Sequence, residues 1–281
     1  MRKINGKRLL ITGAGRGIGL AMAQAWAREG AQVLLTDVNE EVAVEAAQQV
    51  GAGCLSYHLD ITDAAGVSAL RDRLLREQGP LDLLVNNAGV VFPGPFLDVP
   101  LAQHLRTYQV NIEGLVTVTH AFLPQLLERP VAHVVNMASA TGLTSLPRAA
   151  TYASSKWAVV GFSESLRCEL KRRGQGRVGV TTVCPAYVDT GMFAGVRPPW
   201  WIPFLDVHRL AHQVVKAVKQ GRPMLLEPWL VKVTPLLMAT LPRSVTDRLA
   251  ELLGVNQSMD TCHGPAGAFR EGCQGCRCGS K

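Results

Sequence analysis

The 281-residue sequence lacks the features of several protein classes. Aromatic residues make up 6% and charged residues 18% of the chain, but 47% are hydrophobic, so the chain can bury a large core and is not intrinsically disordered. The absence of a repeat of fixed period excludes collagen, coiled coils and solenoids. The N-terminus has no apolar stretch of signal-peptide length, and the most apolar later segment, 224–241, contains charged residues and prolines. We therefore expect a cytoplasmic protein.

The basic excess of the chain is concentrated in one late segment. The net charge is +7, and residues 209–250 carry seven basic side chains against the acidic Glu227 and Asp247. A charge confined to one segment argues against a nucleic-acid partner. Two alternatives remain for this segment, peripheral contact with a membrane surface or packing against the core or another subunit.

Seven cysteines, an odd number, do not favour a disulfide framework. Cys54, Cys168 and Cys184 lie in apolar stretches, and the other four lie in the last 20 residues: Cys262, Cys273, Cys276 and Cys278. Their spacing is not that of a recognised zinc finger, so we predict no metal site. Residues 1–254 are predicted to form one domain, followed by a flexible Cys/Gly-rich tail over 255–281.

Apolar runs of strand length alternate with amphipathic segments of helix length. The predicted strands are 7–13, 31–37, 54–60, 81–86, 131–138 and 178–184, with a further short apolar run near 224–226. The predicted helices are 19–29, 40–50, 64–77, 152–173 and 207–220, and a long segment lies over 101–127. This alternation predicts an α/β fold in which a doubly wound parallel sheet carries helices on both faces.

A glycine-rich turn connects the first strand to the first helix. Residues 12–19 read Thr-Gly-Ala-Gly-Arg-Gly-Ile-Gly, which lets the backbone approach a pyrophosphate at a helix N-terminus, as in a Rossmann fold. Asp37 ends the next strand, where a carboxylate accepts ribose hydroxyls and repels a 2′-phosphate. Arg16 beside the phosphates would support NADP, but Asp37 favours NAD. The candidate cofactor residues here are Gly13, Gly15, Arg16, Gly17, Ile18, Gly19 and Asp37.

Tyr152 and Lys156 are four residues apart and therefore share one helix face. A nearby ammonium, together with the positive ring of an oxidised nicotinamide, favours phenolate and would bring the pKa of Tyr152 towards the working range. Ser139, at the end of a strand, could hold a substrate oxygen beside the phenol. A Tyr-x-x-x-Lys pair is common on solvated helices, so the prediction depends on its combination with Ser139, the glycine-rich turn and Asp37.

With these motifs the chain resembles the short-chain dehydrogenase/reductase family from about residue 5 to 225. The turn at 12–19 matches its Thr-Gly-x-x-x-Gly-x-Gly, and residues 86–89 match its Asn-Asn-Ala-Gly. Further matches to its pattern are Asn111, Ser139, Tyr152, Lys156, Pro185 and Thr190. One departure is Ala186, which stands where the family's Pro-Gly motif has glycine.

The resemblance implies a nicotinamide-dependent alcohol dehydrogenase or carbonyl reductase that forms a homodimer or homotetramer. Tyr152 would be the acid/base, Lys156 would bind ribose, Ser139 would steady the substrate oxygen, and Asn111 would hold a water in a proton relay. Asp60 and Ile61 would lie by adenine. The remaining cofactor contacts implied are Asn87, Ala88, Gly89, Pro185, Val188 and Thr190. A catalytically silent nucleotide-binding or interaction protein is the alternative, but such relatives usually lack the Tyr or the Lys.

Aromatic residues follow two of these motifs and suggest an apolar substrate wall. We expect it to contain Phe92, Phe96, Met192, Phe193, Trp200 and Trp201, unless the two tryptophans serve packing or oligomer contacts. Beyond residue 205 the sequence is most similar to relatives that act on retinoid, steroid or long-chain alcohols. A bulky hydrophobic secondary alcohol or ketone is therefore the expected substrate.

Overall fold

The computed structural model describes residues 1–51 and 53–262 and contains one seven-stranded parallel sheet. The strand order is β3-β2-β1-β4-β5-β6-β7. The strands are β1 (Arg8–Thr12), β2 (Gln32–Asp37), β3 (Leu55–His58), β4 (Leu83–Asn86), β5 (Ala132–Met137), β6 (Val178–Pro185) and β7 (Met224–Glu227). The doubly wound α/β fold predicted from the sequence is confirmed, and its strand order reverses between β1 and β4.

Helices connect these strands and cover both faces of the sheet. They are α1 (Gly17–Arg28), α2 (Glu40–Val50), α3 (Ala64–Glu77), α4 (Leu101–Tyr108), α5 (Leu115–Leu127), α6 (Ala150–Arg172), α7 (Val207–Gln220), α8 (Thr234–Thr240) and α9 (Arg243–Leu252). Residues that alternate along β1 enter two different cores. Leu9 and Ile11 pack with Trp26 of α1, whereas Leu10 packs with Phe122 of α5. Burial on both faces explains why the strand sequences are continuously apolar.

The segment 101–127 is helical throughout but changes its winding in the middle. A π-helical turn, Gln109–Gly114, lies between α4 and α5. Such a turn widens the helix by one residue and often occurs at functional sites. Its buried residue Asn111 faces the loop after β4, because the Asn111 side chain hydrogen-bonds the backbone of Val90.

The basic residues of the segment 209–250 are distributed over several structural elements. α7 packs against α1, and Lys219 pairs with Glu29. Arg222 precedes β7, so it lies at the amino ends of the strands, whereas Arg243 and Arg248 belong to α9. Peripheral contact of 209–250 with a membrane stays a prediction. None of the described helices is long and apolar enough to cross a bilayer.

The predicted boundary after Gly254 is also corrected, because residues 255–262 pack onto the domain. Ser258, Met259 and Cys262 are buried, and Met259 belongs to the same apolar cluster as Tyr152. The compositional change after Gly254 concealed this packing, since two apolar side chains among polar residues give no periodic signal. The remainder of the predicted tail, with Cys273, Cys276 and Cys278, lies outside the described residues.

Candidate active site

A cleft of about 630 Å³ opens at the carboxyl ends of the strands, beside the point where the strand order reverses. Ligands of doubly wound sheets bind at this position, because the loops on either side of the reversal diverge and leave a crevice. Most of the predicted cofactor residues line it: Gly13, Arg16, Gly17, Ile18, Asp37, Asp60, Ile61, Asn87, Ala88, Gly89, Pro185, Val188 and Thr190. Ser139, Tyr152 and Lys156 line the same cleft.

Two glycines of the turn are required because the surrounding backbone leaves no room for a side chain. A Cβ on Gly13 would lie 2.7 Å from Ala88 Cα, and one on Gly19 would lie 2.5 Å from the Gly13 carbonyl oxygen. Gly13 also has a φ of +61°. Gly19 therefore serves close packing of α1 against the turn, whereas Gly13 brings the turn to the tip of β4.

The Asp37 carboxylate holds the glycine-rich turn as well as facing the cleft. One oxygen accepts a hydrogen bond from the Gly15 N–H at 3.0 Å, and the other accepts from the Asn39 N–H at 3.1 Å. A Cβ on Gly15 would lie 2.8 Å from Asp37 Oδ2, so this glycine admits the carboxylate. Asp37 thus keeps its negative charge at a fixed place in the cleft.

Asn87 and Thr12 join the tips of β4 and β1. The Asn87 amide donates to the carbonyl oxygens of Thr12 and Gly13 at 3.0 and 2.8 Å. The Thr12 hydroxyl accepts from the N–H groups of Asn87 and Ala88 at 3.1 and 3.2 Å. Thr12 was not among the predicted site residues, although it begins the glycine motif and adjoins the fourth strand in this topology.

An ion pair borders the end of the cleft predicted for adenine. Asp60 accepts hydrogen bonds from Thr62 at 2.7 and 2.9 Å, and Arg106 Nη2 lies 3.4 Å from its other oxygen. Burial raises the pKa of Asp60, but the hydrogen bonds from Thr62 and Arg106 outweigh it and leave the pKa below its usual value. Arg106 also lines the cleft and was missed, because 46 residues of sequence separate it from Asp60.

Tyr152 and Lys156 emerge from the first turns of α6 into the cleft and are both buried. Lys156 Nζ donates to the Met137 carbonyl oxygen at 2.9 Å and lies 5.6 Å from the centre of the Tyr152 ring. Ser139 follows β5, where its hydroxyl accepts from the Thr141 N–H at 3.2 Å. The predicted same-face arrangement of Tyr152 and Lys156 agrees with this geometry.

Burial shifts the pKa values of both side chains at this centre. Burial raises the pKa of Tyr152 to about 12, despite a hydrogen bond from Ser139 that lowers it. Burial also lowers the pKa of Lys156 to about 8. Lys156 by itself therefore does not bring the pKa of Tyr152 below its usual value, since desolvation of the phenol is the larger effect. Tyr152 is accordingly protonated near pH 7, and the further lowering of its pKa by a nicotinamide ring stays a prediction.

Asn111 braces the loop behind this centre rather than lining the cleft. Its amide oxygen accepts from the Val90 N–H at 2.8 Å, and its amide nitrogen donates to the Val90 carbonyl and to Ser155 Oγ at 3.0 and 2.9 Å. A Cβ on Gly89 would lie 3.2 Å from Asn111 Oδ1, so the loop passes close to the amide. The role of Asn111 in a water relay stays a prediction.

The six residues predicted for a substrate wall divide into three that line the cleft and three that do not. Phe92, Met192 and Phe193 line the cleft, and the Phe193 ring meets the Tyr152 ring edge-on with centres 5.6 Å apart. The remaining three residues do not line it and are corrections: Phe96, Trp200 and Trp201. Phe96 instead stacks on His104, Trp200 is 95% exposed, and Trp201 donates its indole N–H to the Leu253 carbonyl oxygen. Sequence proximity alone cannot decide which side of a loop an aromatic faces.

Comparison with known proteins agrees with this geometry. A family model described as short chain dehydrogenase matches residues 7–199. The chain belongs to the short-chain dehydrogenase/reductase family. The family comprises nicotinamide-dependent oxidoreductases. Residues of its glycine-rich turn, of its Asn-Asn-Ala-Gly motif and of its Tyr-x-x-x-Lys pair line the same cleft in this structure.

Relatives of this short-chain dehydrogenase include human epidermal retinol dehydrogenase 2, which is 32% identical over 265 residues, covering 92% of this chain and 86% of that one. Mouse 17-beta-hydroxysteroid dehydrogenase 13 is 30% identical over 239 residues, covering 84% of this chain and 78% of that one. A solved short-chain dehydrogenase/reductase from Burkholderia phymatum in complex with NAD superimposes with a TM-score of 0.75 at 29% identity, over 89% of this chain and 97% of that one.

The residues of this short-chain dehydrogenase fit a bound dinucleotide. Arg16 precedes α1, and its side chain makes no capping hydrogen bond. The first N–H groups of this helix therefore have no capping side chain, and Arg16, Gly17 and Ile18 at this helix end line the cleft. Gly13 of the turn also lines the cleft beside this helix end, and the Asp37 carboxylate offers acceptors for ribose hydroxyls. Among the described residues, no group of three or more His, Cys, Asp or Glu side chains could hold a metal ion.

Proposed function

We propose that this protein transfers a hydride between NAD and the CH–OH or C=O group of a bulky hydrophobic secondary alcohol or ketone. The arrangement of Ser139, Tyr152 and Lys156 at the inner end of the dinucleotide cleft is the observation that supports this reaction. The nicotinamide supplies the hydride acceptor or donor, and the protein supplies the proton transfer and the orientation.

Tyr152 Oη exchanges the proton in this proposal. In ketone reduction, the phenol, which is protonated near pH 7, donates its proton to the carbonyl oxygen as hydride reaches the carbon. In alcohol oxidation, the phenolate accepts the hydroxyl proton as hydride leaves the same carbon. The Lys156 ammonium stabilises the phenolate, and the Ser139 hydroxyl holds the substrate oxygen beside Tyr152 Oη.

The substrate class rests on the apolar wall of the cleft. Phe92, Met192 and Phe193 line it beside Tyr152, together with Val91. A wall of this chemistry gains free energy by burying hydrocarbon and gives sugar hydroxyls no partner. The relatives named as retinol and hydroxysteroid dehydrogenases are consistent with a substrate of this kind.

The preference for NAD rests on Asp37, whose carboxylate is fixed where the second strand ends. A 2′-phosphate there would place two negative charges together at the mouth of the cleft. Arg16 also lines the cleft, but it precedes α1 and so lies on the phosphate side of the turn.

The proposal includes a cytoplasmic location and a homo-oligomer. Cys54, Cys168 and Cys184, all in the described part of the chain, form no disulfide, which agrees with a reducing compartment. α4 carries an exposed apolar stripe of Leu101 and Leu105 that a second copy of the chain would cover.

The reaction is tested by measuring NADH formation with NAD and a panel of secondary alcohols of increasing apolar size. We expect turnover to improve with apolar size and Tyr152→Phe to lose at least about 100-fold in kcat, because the proton acceptor is removed. Tyr108→Phe, which alters an exposed phenol that hydrogen-bonds Ser154, is the control and is expected to keep the activity.

The alternative function is a silent dinucleotide-binding protein. NADH binding without turnover of any alcohol or ketone would favour that alternative over an oxidoreductase. Full activity of Tyr152→Phe would contradict the assigned acid/base, and preferential turnover of small polar sugars would contradict the substrate class.

A further inference from the structure

The segment that carries part of the substrate wall has little structure of its own. The substrate loop, residues 189–204, is closed at its base by Val188 pairing with Leu205 and by the Leu205 N–H donating to the Tyr187 carbonyl at 2.8 Å. The loop, all of whose residues are described, contains no helix or strand. Gly191 and Gly195 have φ values of +76° and +83°. Such a loop needs contacts from outside to keep one conformation.

Residues 255–262, the C-terminal strap, provide those contacts through hydrogen bonds. Tyr187 Oη donates to Ser258 Oγ at 2.7 Å, and the Arg197 N–H donates to the Ser258 carbonyl at 3.0 Å. Thr261 Oγ1 donates to the Gly195 carbonyl at 2.6 Å. The strap therefore holds the loop both at its base and in its middle.

Apolar packing joins the strap to the same wall. Met259 is fully buried in a cluster that contains Val196 of the loop and Tyr152 of α6. Met192 and Phe193, which line the cleft, pack against this cluster. Because interiors are close-packed, a change in the Met259 side chain is transmitted to the wall that faces the substrate.

We propose that Ser258 and Met259 are positioning residues that fix the substrate loop against Tyr152 and thereby set the selectivity for bulky apolar alcohols. The selectivity part rests on the proposed function, whereas the fixing of the loop does not. Neither residue itself lines the dinucleotide cleft.

Loop fixation is tested without catalysis by hydrogen–deuterium exchange of the full-length chain. Ser258→Ala removes the acceptor for Tyr187, and Met259→Ala removes the apolar contact. Each is expected to speed exchange in peptides from 189–204 by about fivefold or more, since a net hydrogen bond contributes roughly 1 kcal/mol and truncation of a buried methionine costs at least as much. Peptides from β1 and α1 should exchange as in the wild type.

Selectivity is tested by KM values for propan-2-ol and decan-2-ol with saturating NAD. In both variants we expect the KM for decan-2-ol to rise about fivefold relative to that for propan-2-ol, with the KM for NAD within about twofold of the wild type. Met259→Leu, which nearly conserves volume, should restore the wild-type ratio.

Ser244→Ala and Met238→Ala, on α9 and α8, are matched controls outside the strap. Unchanged exchange over 189–204 in both strap variants would contradict loop fixation. Faster exchange with an unchanged KM ratio would contradict the selectivity. If the wild type oxidised no alcohol, the proposed function and the selectivity would both be wrong, and the exchange measurement would still decide the fixation.

Discussion

At the scale of single residues, a few side chains of the cleft have both a structural and a chemical role. Asp37 accepts hydrogen bonds from the N–H groups of Gly15 and Asn39 while its charge faces the cleft. Lys156 is held by the Met137 carbonyl beside the ring of Tyr152. A substitution that preserves hydrogen bonding but removes charge can separate the two roles.

Asp37→Asn provides such a substitution for the cofactor preference. The amide oxygen can still accept from the Gly15 N–H, so the turn should persist, whereas the exposed bond from the Asn39 N–H and the charge that repels a 2′-phosphate are lost. We expect the ratio of kcat/KM for NAD over NADP to fall by at least about tenfold, because a charged hydrogen bond contributes roughly 1.5–3 kcal/mol.

The control for this substitution is Asp63→Asn, which changes an exposed acid that caps α3 and should leave the ratio unchanged. A wild-type protein that already prefers NADP would contradict the assignment of Asp37, as would an unchanged ratio in Asp37→Asn. The ratio is obtained from initial rates with each cofactor at a fixed saturating alcohol concentration.

At the scale of elements, buried polar pairs fix the strands that end at the cleft. Asn86 of β4 donates to Asn136 of β5 and to Thr119 of α5, both at 2.8 Å. Asn136 in turn donates to Ser163 of α6 at 2.9 Å. These bonds join β4, which ends just before Asn87, to α6, which carries Tyr152. They therefore fix the position of Asn87 relative to Tyr152 across the cleft.

A buried histidine makes the pairing of β5 and β6 sensitive to acid. His133 Nε2 lies 2.7 Å from Thr181 Oγ1, which donates to the Arg222 carbonyl, so the neutral ring donates from Nε2. Burial lowers the pKa of His133 to about 3, against about 6.5 when unfolded. Between about pH 3 and pH 6.5 the unfolded chain binds a proton on His133 that the folded protein does not bind. The contribution of neutral His133 to the free energy of unfolding is therefore complete above pH 6.5 and is lost as the pH falls.

We therefore expect the free energy of unfolding to decrease by about 1.4 kcal/mol per pH unit between pH 6 and 4.5, measured by urea titration. His133→Gln should lower stability at pH 7 but remove this slope. His120→Gln, an exposed histidine of α5, should retain the wild-type slope. A wild-type stability independent of pH in this range would show that His133 is not kept neutral by burial.

At the scale of the whole molecule, a group of exposed apolar residues on two neighbouring helices lies outside the lining of the cleft. Leu101, Leu105 and Tyr108 follow one face of α4, and Trp157 of the neighbouring α6 is also exposed. A stripe of this spacing on a packed helix is typical of an interface that a second copy buries.

We expect sedimentation velocity at micromolar concentration to give a dimer or tetramer. Leu101→Asp with Leu105→Asp should shift the protein to a monomer, because the buried charges would be unpaired at the interface. Leu75→Asp, on an exposed position of α3, should leave the assembly intact. A monomeric wild type, or an unchanged assembly in the double variant, would contradict this interface.

Most of the fold could be predicted from the sequence because its signals are local. The alternation of apolar strands and amphipathic helices, the glycines at 13 and 19, and the spacing of Tyr152 and Lys156 depend on neighbours within one or two turns. The π-helical turn at Gln109–Gly114 was not predicted, since a single extra residue within a helix leaves no periodic mark.

What the sequence by itself determined is the fold class and the identity of the dinucleotide cleft, since residue type and spacing specify both. Only the tertiary structure decided which of the aromatic side chains line the cleft, because loop aromatics such as Trp200 turn outwards or inwards according to what packs beneath them. The same is true of Arg106 beside Asp60 and of Met259 beside Val196. Contacts between residues distant in sequence depend on how the elements pack, and local patterns do not encode that packing.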